Sequence, residues 1–262
     1  MDGVNKTLYI PLRGKAVISK RGIILKDPTA EAIWENEGFK VRGKMKSKWL
    51  ALNMAMRARV FDDWTDSILK QNKDALILHI GCGLDSRCLR VKEKYKNWID
   101  GDFPDVIAVR KNYYEETNRY HMMELNAADT SFVDRLPDKS TVIVILEGIS
   151  MYLTNEQVNN LFCALEKKYE KVHILMDVYT ELGAKASKYK NPINEVGVTK
   201  VYGIENIQNV LNNTSIKCKA EHSFTPEYLL NELTGMEKKF FKLVFCKSMY
   251  GKIYRLYELK RD

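Results

Sequence analysis

The segment Leu76-Ile77-Leu78-His79-Ile80-Gly81-Cys82-Gly83 decides the predicted fold, because a short apolar run ends there in a glycine turn. Apolar runs of this length are typical of buried strands. The two glycines permit a tight turn and a close approach of a ligand to the backbone. In open parallel sheets ligands bind beyond the carboxyl ends of the strands, so the sequence predicts a binding site where this strand ends.

Outward from this segment, short apolar runs alternate with helical stretches. The strand candidates are residues 75–80, 95–100, 120–125, 141–147 and 171–178. Between the last two, Thr154 and Gln157 have the spacing of a capping box, which predicts the start of a helix. The alternation predicts an α/β fold with a parallel sheet and helices on its faces.

The alternation stops after about residue 180. Two further apolar runs, residues 240–246 and 253–259, flank Gly251, which predicts a terminal hairpin with an antiparallel last strand. Five parallel strands and this hairpin would make a seven-stranded sheet. Residues of about 180–235 are predicted to form a variable insertion on the substrate side.

The first seventy residues have a different pattern. Apolar residues recur at helical spacing from Trp49 to Ile68, which predicts a long amphipathic helix before the first strand. We therefore expect residues 1–70 to form a helical cap packed on a core of residues 71–262.

Composition sets limits on the class of protein. The chain has 262 residues, 45% of them hydrophobic, which is enough for one large core. It has no apolar run long enough to cross a membrane and no signal peptide, so we expect a cytoplasmic protein without membrane contact. The five cysteines form no metal-binding spacing, so no metal site is predicted.

A carboxylate follows the second strand at an informative distance. Asp102 lies 21 residues after Gly81, where nucleoside-binding folds place an acid on the ribose hydroxyls. A dinucleotide site would favour a third glycine at position 86, which is occupied by Ser86. This difference favours S-adenosylmethionine as the cofactor. An NAD-dependent oxidoreductase is the alternative.

Three segments together resemble a known family. LHIGCGLDSR (78–87), WIDGDFPDVI (98–107) and VILEGISMYLT (144–154) are similar to the signature blocks of the leucine carboxyl methyltransferase family. The N-terminal TLYIPLRGKA (7–16) and MRARVFDDW (56–64) resemble its polyketide O-methyltransferase branch, of the tetracenomycin type. The resemblance implies a class I S-adenosylmethionine-dependent methyltransferase with a Rossmann-like sheet. It also implies O-methylation of a carboxylate or hydroxyl on a small, polyketide-like molecule.

The resemblance also assigns roles to residues. It places Arg59 on the methionine carboxylate of the cofactor, Gly81 in the binding turn and Asp102 on the ribose. It places Glu147 at the methionine end, where a carboxylate suits the ammonium group. The remaining assignments are Asn126 and Ala127 for adenine, Lys15 or Lys20 as a second cation, and Tyr152 for orienting the acceptor.

Each assignment has a structural alternative. Arg59 could instead pair with Asp62 or Asp63 along its helix. Asp102 could be a turn residue, and Tyr152 could serve packing alone. None of the four histidines is assigned as a catalytic base, although His222 could face the site.

The charge of the chain leaves other partners open. The net charge is +8, and five basic residues alternate between positions 40 and 48. We expect a solvated basic face rather than a nucleic-acid site. The alternative functions are methylation of a carboxyl group on RNA or protein, and a non-enzymatic binding protein.

Overall fold

The computed structural model describes residues 5–38, 43–187, 200–246 and 248–262, which are arranged around one seven-stranded sheet. The strands are β1 (Leu76–Ile80), β2 (Asn97–Asp102), β3 (Tyr120–Glu124), β4 (Thr141–Leu146), β5 (Lys171–Tyr179), β6 (Lys217–His222) and β7 (Tyr254–Arg261). The N-terminal helices are α1 (Tyr9–Ser19), α2 (Pro28–Glu37) and α3 (Lys48–Gln71). The later helices are α4 (Arg87–Arg90), α5 (Pro104–Arg110), α6 (Asn155–Lys168), α7 (Glu181–Ser187), α8 (Gln208–Leu211), α9 (Glu227–Leu230), α10 (Gly235–Phe245) and α11 (Ser248–Gly251).

The strand order creates a cleft in the middle of the sheet. The order is β3-β2-β1-β4-β5-β7-β6, and β1 to β5 are parallel. The chain progresses outward in one direction from β1 and, after β3, returns to β1 and progresses in the other direction from β4. At such a switch point the loops after β1 and β4 diverge, and ligands bind between them. The predicted α/β fold with an antiparallel last strand is confirmed.

The central strands are buried on both faces. All residues of β1 and β4 are buried, which explains their continuous apolar sequences. The helix that the capping box predicts is α6, and the side chains of Thr154 and Gln157 form that box. The N-terminal helices share one hydrophobic core with the sheet. The division at residue 70 stays a prediction.

The predicted terminal hairpin is wrong in one of its strands. Residues 240–245 belong to α10, where the rings of Phe241 and Phe245 stack one turn apart with centroids at 4.5 Å. A short apolar run does not by itself distinguish a strand from a helix. The antiparallel partners of β7 are β5 and β6. The alternating polar sequence of β6, which lies at the edge of the sheet, carries little hydrophobic signal.

Two further observations concern possible partners. None of the helices within the described residues has the length and apolar character to cross a membrane. Of the basic segment 40–48, residues 40–42 lie outside the described residues. Lys46 and Lys48 are exposed, and the ammonium of Lys48 lies over the ring of Trp49.

Candidate active site across the sheet

A cavity of about 780 Å³ lies over the carboxyl ends of the parallel strands. Its volume falls in the range of small-molecule sites. Residues after β1, β2, β3 and β4 line it, together with side chains of α1, α3 and the β7 region. The sequence-predicted residues that line it are Lys15, Gly81, Asp102, Asn126, Ala127, Glu147 and Tyr152.

The turn after β1 requires glycine at position 81. Gly81 has φ +70°, which is in the left-handed region, and its N–H donates to the carbonyl of Gly101 at 2.7 Å. A Cβ atom there would lie 2.6 Å from Cδ1 of Ile149, closer than packed atoms approach. The turn therefore brings bare backbone to the floor of the cavity.

Asp102, the last residue of β2, holds this turn. Its Oδ2 accepts the N–H of Gly83 at 2.7 Å, and its Oδ1 accepts the N–H of Phe103 at 2.8 Å. Burial raises the pKa of Asp102, and the two backbone N–H groups counteract part of that rise. Each carboxylate oxygen keeps a lone pair for a further donor, so a ribose diol fits this position.

Replacing Asp102 by asparagine is expected to weaken cofactor binding. The amide nitrogen accepts no hydrogen bond, so one backbone N–H of the turn loses its acceptor, as does one hydroxyl of the ribose that Asp102 is predicted to bind. We expect the Kd for S-adenosylhomocysteine to rise at least about tenfold, measured by isothermal titration calorimetry. Asp74→Asn is the matched control, because Asp74 is an exposed acid paired with Lys96 at the opposite ends of the strands. Equal affinities of the two variants would remove Asp102 from the site.

Asn126 and Ala127 follow β3 at the same end of the cavity. Asn126 Oδ1 accepts the N–H of Ala128 at 3.0 Å. The amide nitrogen of Asn126 takes no part in this hydrogen bond and can donate to another group. Within the described residues, no group accepts the N–H of Ala127. A polar side chain and a backbone donor side by side suit the edge of a purine.

The centre of the cavity contains buried charges of both signs. Arg57 Nε donates to Glu147 Oε1 at 2.9 Å, and Arg57 Nη1 donates to Asp177 Oδ2 at 3.0 Å. Arg87 contacts the other oxygen of Glu147. Lys15 and Asp85 form a second buried pair at the cavity wall. The chemistry of this set fits a zwitterionic amino-acid group, with cations for its carboxylate and acids for its ammonium.

Glu147 is ionised in this setting. Burial acts to raise its pKa, but the guanidinium groups of Arg87 and Arg57 outweigh that effect and lower the pKa to about 2. A carboxylate with this pKa keeps its negative charge at neutral pH. It can therefore attract an ammonium group.

One nitrogen of Arg57 has no acceptor among the described residues. Its Nε and Nη1 are used by Glu147, Asp177 and the hydroxyl of Tyr254, whereas no described residue accepts from Nη2. A Cβ atom at Gly148 would lie 3.3 Å from Nη2, so the glycine keeps this edge of the guanidinium open.

The structure does not bring Arg59 to this cavity. The Arg59 guanidinium pairs with Asp63 at 2.8 Å and donates to the carbonyl of Ile24, as the helical alternative predicted. Residues two apart on a helix point about 200° apart, so Arg57 and Arg59 cannot both face the cavity. Residues 51–58 of α3 are all buried, so this part of the helix has no exposed face. The spacing of its hydrophobic residues therefore could not predict which of the two arginines faces the cavity.

The structure also shows which of the two candidate lysines faces the cavity. Lys15 is buried at the cavity wall, whereas Lys20 is exposed and pairs with Glu35. Lys15 is one turn before the end of α1, so its side chain reaches the residues that follow β1.

Aromatic side chains line the far end of the cavity, near β5 and β7. Tyr152, Tyr179, Phe245, Tyr250 and Tyr254 lie there. Burial raises the pKa of Tyr152 to about 12, a rise that a hydrogen bond with Thr7 limits. At neutral pH this phenol stays protonated and can donate a hydrogen bond.

Among the described residues, no histidine is placed as a base at this end. His79 lines the cavity, but its Nδ1 lies 3.2 Å from Asp100 Oδ1 and its Nε2 lies 3.3 Å from Arg87. His222 lies outside the cavity lining, with Nε2 2.7 Å from Glu258. Cys82 lines the cavity too, but burial raises the pKa of its thiol well above the ordinary value.

Solved structures confirm the fold. The chain resembles a putative methyltransferase of Thermobifida fusca with a TM-score of 0.57 and 13% identity, over 90% of this chain and 87% of that one. It also resembles magnesium protoporphyrin IX methyltransferase of Synechocystis, solved with bound S-adenosylhomocysteine. That match has a TM-score of 0.51 and 13% identity, over 89% of this chain and 94% of that one.

Curated proteins give the same class of enzyme. The chain is 28% identical over 211 residues to the tetracenomycin polyketide synthesis O-methyltransferase TcmP of Streptomyces glaucescens. The match covers 79% of this chain and 77% of that protein. It is 29% identical to the S-adenosyl-L-methionine-dependent methyltransferase dpfgK of Gibberella zeae, over 62% of this chain and 60% of that protein.

The family model for leucine carboxyl methyltransferases matches residues 13–166, more than half of the chain. That range contains the glycine turn, Asp102, Asn126 and Glu147, which is the part of the cavity that suits the cofactor. These findings identify S-adenosylmethionine, rather than a dinucleotide such as NAD, as the cofactor. The chain belongs to the leucine carboxyl methyltransferase family, as an S-adenosylmethionine-dependent methyltransferase.

Proposed function

We propose that this enzyme methylates a carboxylate oxygen of a small, largely aromatic molecule. The observation that carries the proposal is the β5–β7 end of the cavity, where the described residues offer aromatic walls and hydrogen-bond donors and where His79, on β1, is engaged by Asp100 and Arg87 instead. A carboxylate is already ionised at neutral pH and needs no base, whereas a phenol gains from one.

We also propose how the cofactor is held. Asp102 binds the ribose diol, and the region of Asn126 and Ala127 binds adenine. Arg57, in place of Arg59, binds the methionine carboxylate with its open Nη2, and Lys15 adds a second positive charge. Glu147 attracts the ammonium group. The distances and burial given above support each of these roles.

Positioning supplies the catalysis in this account. When bound, S-adenosylmethionine supplies an electrophilic methyl group: the acceptor oxygen forms the new C–O bond, and the electron pair of the C–S bond stays on sulfur. The protein must align the acceptor oxygen with the methyl group and exclude water. Holding the two reactants in this geometry makes their bimolecular reaction effectively unimolecular. The packed rings of Tyr179 and Tyr254, with centroids 5.1 Å apart, provide a rigid wall for this purpose. Tyr152 donates a hydrogen bond that orients the acceptor.

The relatives support a small-molecule acceptor. TcmP is named as an O-methyltransferase of tetracenomycin polyketide synthesis, and the match to it covers most of both chains. We propose a polyketide-like acid for this chain on that basis. We also propose a cytoplasmic location, since the five cysteines are free, which fits a reducing compartment.

The chemical nature of the product tests the proposal. Enzyme and isotopically methyl-labelled S-adenosylmethionine are incubated with aromatic acids and with the phenols of the same ring systems. We expect label in the acids, released as methanol by mild alkali, because alkali cleaves methyl esters and leaves methyl ethers intact. Label that resists alkali, or transfer to the phenols alone, would contradict a carboxylate acceptor.

A further inference from the structure

Asn53 carries a buried hydrogen-bond donor that no residue in the described part of the chain accepts. It lies on α3, is 3% exposed and lines the cavity. Its Nδ2 has no hydrogen-bond partner among the described residues. A buried donor without a partner is unfavourable for folding, and such groups in native proteins call for an explanation.

Tyr250 fixes the orientation of this amide. The hydroxyl of Tyr250 donates to Asn53 Oδ1 at 3.0 Å. Since the phenol proton occupies the oxygen side, the nitrogen side of the amide is left for another molecule. The Tyr250 ring is itself held by Phe245 and Tyr254, with centroids at 5.4 Å and 6.2 Å.

The strand order places Asn53 at the acceptor end of the cavity. Asn53 lies one turn before Arg57 on α3, and its partner Tyr250 lies on α11, the short helix that leads into β7. Asp102 ends β2, which is four strands away from β7 in the sheet. At about 4.8 Å per strand, this separates β2 from β7 by roughly 19 Å. The residues proposed for the ribose and the glycine turn lie in the first part of that span, after β2 and β1, whereas Arg57 reaches from Glu147, after β4, to Tyr254 of β7.

The surroundings of Asn53 suit a planar, apolar molecule with one polar group. Leu50 and Met54 line the cavity on the same helix, and the rings of Phe245 and Tyr250 close it from the other side. Aromatic walls of this kind pack against flat rings. A single neutral N–H donor between them fits an oxygen atom of the ligand.

We propose that Asn53 Nδ2 donates a hydrogen bond to the carboxylate oxygen of the acceptor that is not methylated. Asn53 thereby selects aromatic carboxylates and turns the other oxygen toward the methyl group. The proposal rests on the proposed function and assigns the part of the site that recognises its substrate.

The test uses a variant in which both members of the pair become apolar, Asn53→Leu with Tyr250→Phe. The probe is 2-naphthoate, titrated calorimetrically into the full chain saturated with S-adenosylhomocysteine. We expect wild type to bind it at least about tenfold more tightly than the cation 2-(aminomethyl)naphthalene, and the double variant to lose about tenfold affinity for 2-naphthoate. The Kd for S-adenosylhomocysteine should stay within about twofold, because the donor serves the acceptor and not the cofactor.

Thermal unfolding separates this role from a structural one. Replacing both partners of an internal hydrogen bond by apolar groups is close to neutral, and the unpartnered donor disappears as well, so the melting temperature should equal or exceed that of wild type. Asn159→Leu is the control, because Asn159 Nδ2 donates to the carbonyls of Val210 and Asn212 at 3.0 and 2.7 Å. Its melting temperature should fall while 2-naphthoate binding stays unchanged.

Three results would overturn the role of Asn53. These are unchanged 2-naphthoate affinity in the double variant, a melting temperature that falls as in Asn159→Leu, or a weakened affinity for S-adenosylhomocysteine. Wild type that binds S-adenosylhomocysteine but not 2-naphthoate at millimolar concentration would overturn the aromatic carboxylate as ligand. An alkali-stable methylated product would instead overturn the proposed function itself.

Discussion

Replacing Arg57 by methionine is expected to weaken S-adenosylhomocysteine binding about a hundredfold and to lower the unfolding free energy by about 3–5 kcal/mol. The guanidinium neutralises Glu147 and Asp177, both buried, and its loss leaves one carboxylate partly and the other wholly without a cation. Calorimetric titration and denaturant unfolding measure the two effects.

Arg59→Met is the matched control on the same helix. Its guanidinium pairs with Asp63 at a partly exposed position, one turn along α3. Exposed pairs of this spacing contribute about 0.3–0.5 kcal/mol. We expect S-adenosylhomocysteine affinity within about twofold of wild type.

Arg57→Lys keeps the comparison informative if the methionine variant does not fold. A single ammonium cannot reproduce the forked contacts to two carboxylates, so we expect a folded protein with affinity reduced about tenfold. Normal binding by Arg57→Lys together with lost binding by Arg59→Met would return the cofactor carboxylate to Arg59.

Replacing Glu147 by glutamine is expected to change both stability and its pH dependence. The variant leaves Arg87 and Arg57 short of an anion, so at neutral pH its unfolding free energy should be lower by about 3–5 kcal/mol. A carboxyl group with a lowered pKa stabilises the fold above its ordinary pKa of 4.5 and loses that contribution as the pH falls toward about 2. The stability gap between wild type and variant should therefore narrow from about pH 5 to about pH 2.

Denaturant unfolding at a series of pH values measures this gap. Glu227→Gln is the control, because Glu227 is an exposed acid paired with Lys242, and its variant should follow the wild-type curve closely. A gap for Glu147→Gln that stays constant across the acid range would show that the carboxylate is not ionised in the folded protein. Cofactor affinity should fall in this variant, since the attraction for the ammonium is lost.

Where the sequence predicted the fold correctly, burial made the pattern strong. Strands β1, β4 and β5 are buried on both faces, so continuous apolar runs marked them. The edge strand β6 alternates charged and small residues, and the apolar run in α10 is too short to reveal its period. The secondary structure of both segments depends on where they pack in the folded protein. The local sequence does not contain that information.

The same distinction applies to the site. Gly81 and Glu147 directly follow strongly apolar strands, and Asp102 ends β2, so topology alone predicts that the three residues line one cavity. Arg57 and Asn53 lie on a helix that is buried on most of its circumference, and only the packing of α3 on the sheet shows which side chains face the cavity. The donor Asn53 Nδ2, which has no partner among the described residues, becomes visible only when those residues have been placed in three dimensions.

Isothermal titration of S-adenosylmethionine into the full chain, with NAD as the comparison, tests the central claim most directly. That claim is that the cavity over the carboxyl ends of β1, β2 and β4 holds this cofactor. The account predicts one bound S-adenosylmethionine per chain and no heat from NAD. Saturable binding of NAD, or no heat from S-adenosylmethionine at millimolar concentration, would contradict it.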